Sequence, residues 1–234
     1  MTDYTGKIAL VTGSSRGVDL QIFEHFLVGG ATVLGVARGE ATINSDHYHH
    51  IQVDLANADE IIIAFRSIRS IVPRVDIVIN NAALLTSQYS MIMPPAAAQA
   101  MVNVNLLAPF IVSREAAKLM RKSKWGRIIN IGSMAASLEP VGDSVYAACK
   151  AGLSTLANVM AKEFGSFNIT CNTLAITAID SDMLRHLPRD KIEAIIATLP
   201  VPRFAEIEDI LNVIVFLLQS AALTSPPKQF FLGA

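Results

Sequence analysis

The chain has 234 residues, of which 52% are hydrophobic and 17% charged, and its formal net charge of -1 leaves no basic field for nucleic acid or anionic lipid. Such a length fits one α/β domain, the apolar share can bury a large core, and no apolar stretch approaches the ~20 residues of a membrane span. Two cysteines, Cys149 and Cys171, give no disulfide framework, and the opening Met-Thr-Asp-Tyr-Thr-Gly lacks a signal-peptide core, so the expected location is cytoplasmic.

Lys7-Ile-Ala-Leu-Val-Thr12 is a short apolar run of strand type. It leads into Gly13-Ser-Ser-Arg-Gly17 and then into a helical pattern whose apolar stripe is Ile22, Phe23, Phe26 and Leu27. A glycine-bearing turn between strand and helix lets backbone amides approach a pyrophosphate at the positive end of the helix. Further strand-like runs lie near 31–36, 50–53, 75–79, 127–132, 168–174 and 229–232. Helical patterns lie near 17–29, 57–71, 97–122, 144–165, 189–198 and 206–219. The chain shows no repeat, low-complexity linker or domain break, so residues 1–234 read as a single domain. This alternation predicts an α/β fold, a doubly wound parallel sheet of about seven strands with helices on both faces. Ligands of such sheets sit beyond the carboxyl ends of the strands, where Gly13, Asn80, Ser133 and the start of the Tyr146 helix fall.

Within that frame Tyr146 and Lys150, one helical turn apart in Tyr-Ala-Ala-Cys-Lys, carry the chemistry. Their i, i+4 spacing puts both side chains on one face. An ammonium held there favours the tyrosinate and so lowers the tyrosine pKa from about 10 toward working pH. Ser133 ends the strand Gly-Arg-Ile-Ile-Asn-Ile-Gly-Ser and can hold a carbonyl oxygen beside that phenol. The three form an acid–base constellation for reducing a carbonyl or oxidising an alcohol. A Tyr-x-x-x-Lys pair alone is commonly exposed helix decoration; the ordered residues around it give it weight.

Those residues are Thr12-Gly13-x-x-x-Gly17, Asp54 in Val-Asp-Leu, Asn80-Asn81-Ala82, Asn105 in Val-Asn-Leu, Ser133 and Tyr146-x-x-x-Lys150. In this order the sequence resembles the short-chain dehydrogenase/reductases from near residue 5 to the C-terminus, and among them most the 3-oxoacyl-acyl-carrier-protein reductases. The resemblance implies a single Rossmann-type domain and an NAD(P)-dependent oxidoreductase acting on CH–OH groups. It implies a catalytic set of Asn105, Ser133, Tyr146 and Lys150. Tyr146 would give the proton, Ser133 would position the substrate oxygen, and Lys150 would hold the nicotinamide ribose. Asn105 would anchor a water linking Lys150 to solvent, whereas Asn103 reads as a helix-surface amide. The implied cofactor residues are Gly13, Ser15, Arg16, Gly17 and Val18 in the first turn, Arg38 at a ribose 2′-phosphate, Asp54 and Leu55 at the adenine edge, Asn81 and Ala82 beside the adenosine ribose, and Tyr146 and Lys150.

Charge argues for NADP (NADPH) over NAD. NAD-binding members carry an acid at the end of the second strand; here Ala37 stands in that place, Arg38 follows, and Arg16 lies in the glycine turn. The bland alternative is that Arg38 is only a solvated strand-end residue. The chain also departs from the family pattern. Asp19 replaces the third glycine, Ala83 the glycine after Asn-Asn-Ala, and Ile176-Thr177 a Pro-Gly, while the tail reads Thr224-Ser225-Pro-Pro and ends Phe-Leu-Gly-Ala234. A carboxylate at Asp19 occupies ground meant for an anionic cofactor. Three explanations compete: drift in a working reductase, a weak or specialised cofactor site, or a family member with an impaired cofactor site acting as a binding or partner subunit. The intact catalytic set argues against the last.

The expected substrate is a small-molecule carbonyl, a 3-oxoacyl thioester or similar ketone, free or bound to a carrier protein. Ile176 to Phe204 should form a lid, with Met183, Leu184, Leu187, Ile192, Ile195 and Ile196 as apolar surface, although any packed helix shows such a stripe. Lys118, Arg121, Lys122, Lys124 and Arg127 could form a basic patch for an acidic carrier protein around the Ser133 strand entry, while a second basic position of the subfamily reads Phe167. His47-Tyr-His49-His50 reads as an exposed turn rather than a metal cluster, and no metal is expected. His186 reads as a surface residue. By resemblance, helices 97–122 and 144–165 pack against a partner subunit in a homodimer or homotetramer.

Overall fold

A computed structural model describes residues 2–13, 18–40, 43–179, 192–193, 196–197, 201–219 and 229–232. Strand β1 (Ile8–Thr12) is buried at every position, as its unbroken apolar run requires of a central parallel strand. The other strands are β2 (Thr32–Ala37), β3 (Tyr48–Gln52), β4 (Ile77–Asn80), β5 (Gly126–Ser133), β6 (Ile169–Ile176) and β7 (Gln229–Phe231). They form one seven-stranded sheet in the order β3-β2-β1-β4-β5-β6-β7, every neighbouring pair parallel. The expected doubly wound α/β architecture is the one observed.

Among the described residues the α-helices of a full turn or more are α1 (Val18–Val28), α2 (Ala58–Ile71), α3 (Pro95–Val102), α4 (Ala108–Met120), α5 (Ala135–Leu138), α6 (Ser144–Phe164) and α7 (Ile207–Gln219). Ile61 and Phe65 of α2, Ile111 and Met120 of α4 and Met160 of α6 fill the core on one face of the sheet. Phe23 and Phe26 of α1 with Ile210 and Ile214 of α7 fill the other. Helix α2 begins at a reciprocal cap: Asn57 accepts the amides of Asp59 and Glu60, while Glu60 accepts from the Asn57 side chain and from the Asp54 amide.

The helix expected over 97–122 starts at Pro95 and is interrupted by a π-helical turn, Asn103–Leu107. Pro109 is the cause. It has no N–H for the Asn105 carbonyl four residues back, and its ring crowds that carbonyl; the wider turn relieves both. The whole of Pro95–Met120 is 26 residues long and apolar enough, by length and composition, to cross a membrane. Its second half nevertheless buries Ala108, Ile111, Val112, Ala116 and Met120 against the sheet, as a core helix does.

The histidine run is a second correction. Tyr48, His49 and His50 belong to β3, the edge strand, rather than to an exposed turn. Tyr48 is buried over Gly35 of β2, where a Cβ would lie 2.7 Å from the tyrosine Cζ, and its ring meets Phe23 edge-on. Gly35 pairs with His50 in the register, and its missing side chain leaves room for the neighbouring Tyr48 ring.

Candidate active site

Thr12 ends β1 and Gly13 turns away at φ 94°, a left-handed conformation open to glycine, with its N–H donated to Val36 O at 2.9 Å. The Thr12 hydroxyl accepts the amides of both Asn81 and Ala82 at 3.1 Å, so the ends of β1 and β4 are tied together. Beneath them Asn80 is buried and donates to Ser113 Oγ and Asn130 Oδ1.

Ser133 ends β5, and Tyr146 and Lys150 face it from the first turns of α6. Lys150 is 2% exposed; its Nζ donates to Ile131 O at 2.7 Å and lies 5.6 Å from the centre of the Tyr146 ring. The Ser133 Oγ accepts from Ala135 N at 3.1 Å. Burial lowers the Lys150 pKa to about 8. Burial also raises the Tyr146 pKa to about 12; the Ser133 hydroxyl pulls against that shift and the Asp143 carboxylate adds to it. The expectation that Lys150 brings the phenol toward working pH is therefore corrected. Desolvation of the phenolate outweighs an ammonium whose hydrogen bond goes to a carbonyl.

Asn105 lies in the π turn, fully buried. Its Oδ1 accepts from Leu84 N at 3.0 Å, and its Nδ2 donates to Leu84 O at 2.7 Å and Met101 O at 2.9 Å. The segment after β4 is tied down further along: Ser87 Oγ donates to Asp143, Gln88 N to Gly142 O, and the Ser90 and Ser144 hydroxyls are 2.9 Å apart. This segment and the start of α6 thus form one wall. A cavity of about 480 Å³ opens beside it, lined by Tyr89, Pro140, Val141, Ala148 and Ala151 among others; Ser133, Tyr146 and Lys150 do not line it. Asn103 is not the surface amide expected: it donates to Ala56 O at 3.0 Å and accepts from Gln99.

On the cofactor side Arg38 is exposed and, among the described residues, its guanidinium makes no ion pair. Asp54 Oδ1 accepts from Ala56 N at 3.0 Å, and Leu55 is buried in the core, so only its backbone can face a ligand. Val18 opens α1; Ser15, Arg16, Gly17 and the side chain of Asp19 lie outside the described residues. At the end of β6, Ile176 O accepts from Met134 N at 2.9 Å, and Thr177 Oγ1 is buried without a hydrogen-bond partner among the described residues. An orphaned hydroxyl at a sheet's carboxyl end suits a polar ligand group such as a carboxamide. With a left-handed glycine at the first turn, these residues fit a nicotinamide dinucleotide.

Residues 7–192 match the family model described as short chain dehydrogenase. The chain belongs to the short-chain dehydrogenase family. It is 33% identical over 226 residues to the 3-oxoacyl-[acyl-carrier-protein] reductase FabG of Pseudomonas aeruginosa, covering 93% of this chain and 92% of that protein. To the Escherichia coli protein of the same name it is 34% identical over 226 residues, covering 94% and 93%. Its fold matches that of a short chain dehydrogenase from Leptospira borgpetersenii with bound NAD+, with a TM-score of 0.88, 22% identity and coverage of 99% of this chain and 92% of that one. Membership makes the chain an NAD(P)-dependent oxidoreductase acting on CH–OH or carbonyl groups.

For a short-chain dehydrogenase the expected basic patch is misplaced. Lys118, Arg121, Lys122, Lys124 and Arg127 gather at the amino end of β5, whereas Ser133 is at its carboxyl end, about 23 Å away at strand rise. Lys118 pairs with Glu115, and Arg127 is buried over Trp125 with its guanidinium on Gly126 O and Asn168 O. The patch cannot face the dehydrogenase cleft. Both cysteines are free and buried, as expected. Most of the expected lid, with Met183, Leu184, His186, Leu187 and Ile195, lies outside the described residues.

Proposed function

We propose that this chain is an NADP-dependent reductase of a 3-oxoacyl thioester or a similar ketone, with Tyr146 as the proton donor. The observation that carries the reading is the meeting of Ser133, Tyr146 and Lys150 at the carboxyl end of β5. A nicotinamide cofactor, when bound, would supply the hydride for the carbonyl carbon. Tyr146 Oη gives its proton to the substrate oxygen as that oxygen gains charge, and Ser133 Oγ donates a hydrogen bond to the same atom. Lys150 Nζ, protonated at neutral pH, stabilises the phenolate left behind. The Asn105 side chain is committed to Leu84 and Met101, so the water it anchors would sit on its main-chain carbonyl, which Pro109 leaves without the usual helical N–H.

Gly13, Ser15, Arg16, Gly17 and Val18 would hold the pyrophosphate, Arg16 and Arg38 the 2′-phosphate, Asp54 and Leu55 the adenine, Asn81 and Ala82 its ribose, and Tyr146 with Lys150 the nicotinamide ribose. Support for the 2′-phosphate is an arginine with no ion pair among the described residues, directly after Ala37 at the end of β2. The acyl thioester rests on the names of the relatives and no longer on a basic patch. A cytoplasmic homodimer or homotetramer is part of the same reading. The rival reading, a binding or partner subunit, gains no support from an intact catalytic set.

Titration of the purified protein with NADPH and with NADH, followed by cofactor fluorescence, tests it. NADPH should bind more tightly, and the complex should reduce acyl-thioester ketones. Preference for NADH would refute the cofactor assignment, and failure to bind either would favour the non-catalytic subunit.

A further inference from the structure

Tyr48, His50 and Gln52 alternate along β3 and so stand on one face of the sheet, the face covered by α1. Tyr48 Oη and His50 Nδ1 are 3.1 Å apart, and His50 Nε2 lies 2.7 Å from Gly39 O. A carbonyl only accepts, so in the neutral ring Nε2 carries the proton and Nδ1 accepts from the tyrosine hydroxyl. Two residues on, Gln52 Nε2 donates to Arg38 O at 2.9 Å. The consecutive carbonyls of Arg38 and Gly39, in the turn that leaves β2, are thus both gripped from the neighbouring edge strand. Tyr48 in turn is seated in the core over Gly35.

From this geometry we infer that His50 and Gln52 are positioning residues for cofactor selection: they fix the backbone of the Arg38–Gly39 turn and so aim the Arg38 guanidinium at a ribose 2′-phosphate. The inference rests on the NADP reading proposed above. An exposed arginine loses rotamer freedom when it engages a phosphate, and a turn already held in place removes the backbone share of that cost. Neither His50 nor Gln52 needs to touch the cofactor. Both act through Arg38, whose guanidinium makes no ion pair among the described residues.

The test compares wild type with His50→Phe, Gln52→Leu, the double variant and the conservative His50→Gln. NADPH and NADH dissociation constants are measured for each, together with the rate of tryptic cleavage at the Arg38–Gly39 bond in the cofactor-free protein. The double variant should bind NADPH about tenfold more weakly, the loss expected of two hydrogen bonds, with NADH affinity unchanged and cleavage after Arg38 faster. His50→Gln, which keeps a donor, should recover part of the NADPH affinity. Gln52→Leu alters an exposed edge position, so it reports even if His50→Phe folds poorly. Equal weakening of NADPH and NADH, or unchanged cleavage, would overturn the inference by reducing these residues to general supports. A wild type that prefers NADPH while the double variant keeps that preference would overturn this inference alone. A wild type indifferent to the 2′-phosphate would overturn the cofactor reading, and this selection role with it.

Discussion

Replacing Asn105 with alanine should unfold this protein more readily as well as slow it. The side chain is completely buried and holds Leu84 N, Leu84 O and Met101 O, at 3.0, 2.7 and 2.9 Å. Alanine leaves one amide and two carbonyls without those partners, and each such loss costs about 1–3 kcal/mol when water cannot substitute. Leu84 is only half-buried, so water recovers part of the loss and a total of about 3 kcal/mol is expected. For a domain of this size that lowers the melting temperature by about 6–12 °C. Thermal unfolding followed by circular dichroism, at one fixed protein concentration, measures it. Asn105→Asp makes the argument sharper. The carboxylate can still accept from Leu84 N but faces two carbonyls with no proton to give, so it should melt no higher than the alanine variant. A shift of less than about 2 °C for Asn105→Ala, or a milder effect of aspartate than of alanine, would refute the idea that the amide is chiefly a structural clamp.

Tyr146→Phe should cut turnover about a thousandfold while cofactor affinity falls by no more than about tenfold, the loss of one ribose hydrogen bond, and turnover that survives would remove Tyr146 as the acid. The pH profile of kcat/KM for reduction should fall above about 8, where Lys150 loses its proton, while Tyr146, at about 12, stays protonated throughout. Stability follows the same group with the opposite sign: between its folded value of about 8 and its ordinary 10.5 the unfolded chain holds the extra proton. Stability should therefore gain from Lys150 as pH rises through that window, a gain that Lys150→Met should lack in urea titrations at several pH values. Gly35→Ala brings a Cβ to 2.7 Å from Tyr48 Cζ and should cost about 2 kcal/mol in the same assay, relieved when Tyr48→Leu is added.

The fold was legible because parallel strands are continuous apolar runs and the helices between them repeat at the helical period, as in Ile8–Thr12 and the Ile22, Phe23, Phe26 stripe. That Ser133, Tyr146 and Lys150 meet was legible from the i, i+4 spacing only together with the ordered motifs around it. Less local facts were missed. The break in the long helix had a signal, Pro109, which acts four residues upstream at the Asn105 carbonyl rather than where it stands. The histidine run pairs along β2, where Gly35, a residue distant in sequence, makes room for Tyr48. The basic cluster does lie at the entry of β5, but it cannot serve the cleft, because a residue that opens a strand and one that closes it are a strand's length apart. The Tyr146 pKa depends on how much water the fold excludes, which no spacing encodes.

Residues 81–90 have almost no regular structure, yet they are fastened at Thr12, Asn105, Gly142, Asp143 and Ser144, on elements far apart in sequence. Surface connections usually accept added or deleted residues readily, because few of their groups are committed. Here an insertion or deletion would put nearly every later anchor out of step with its partner. Changes in what the cleft admits should therefore arise by exchanging side chains along this stretch at constant length, and laboratory variants that lengthen or shorten it should be recovered mainly as insoluble protein.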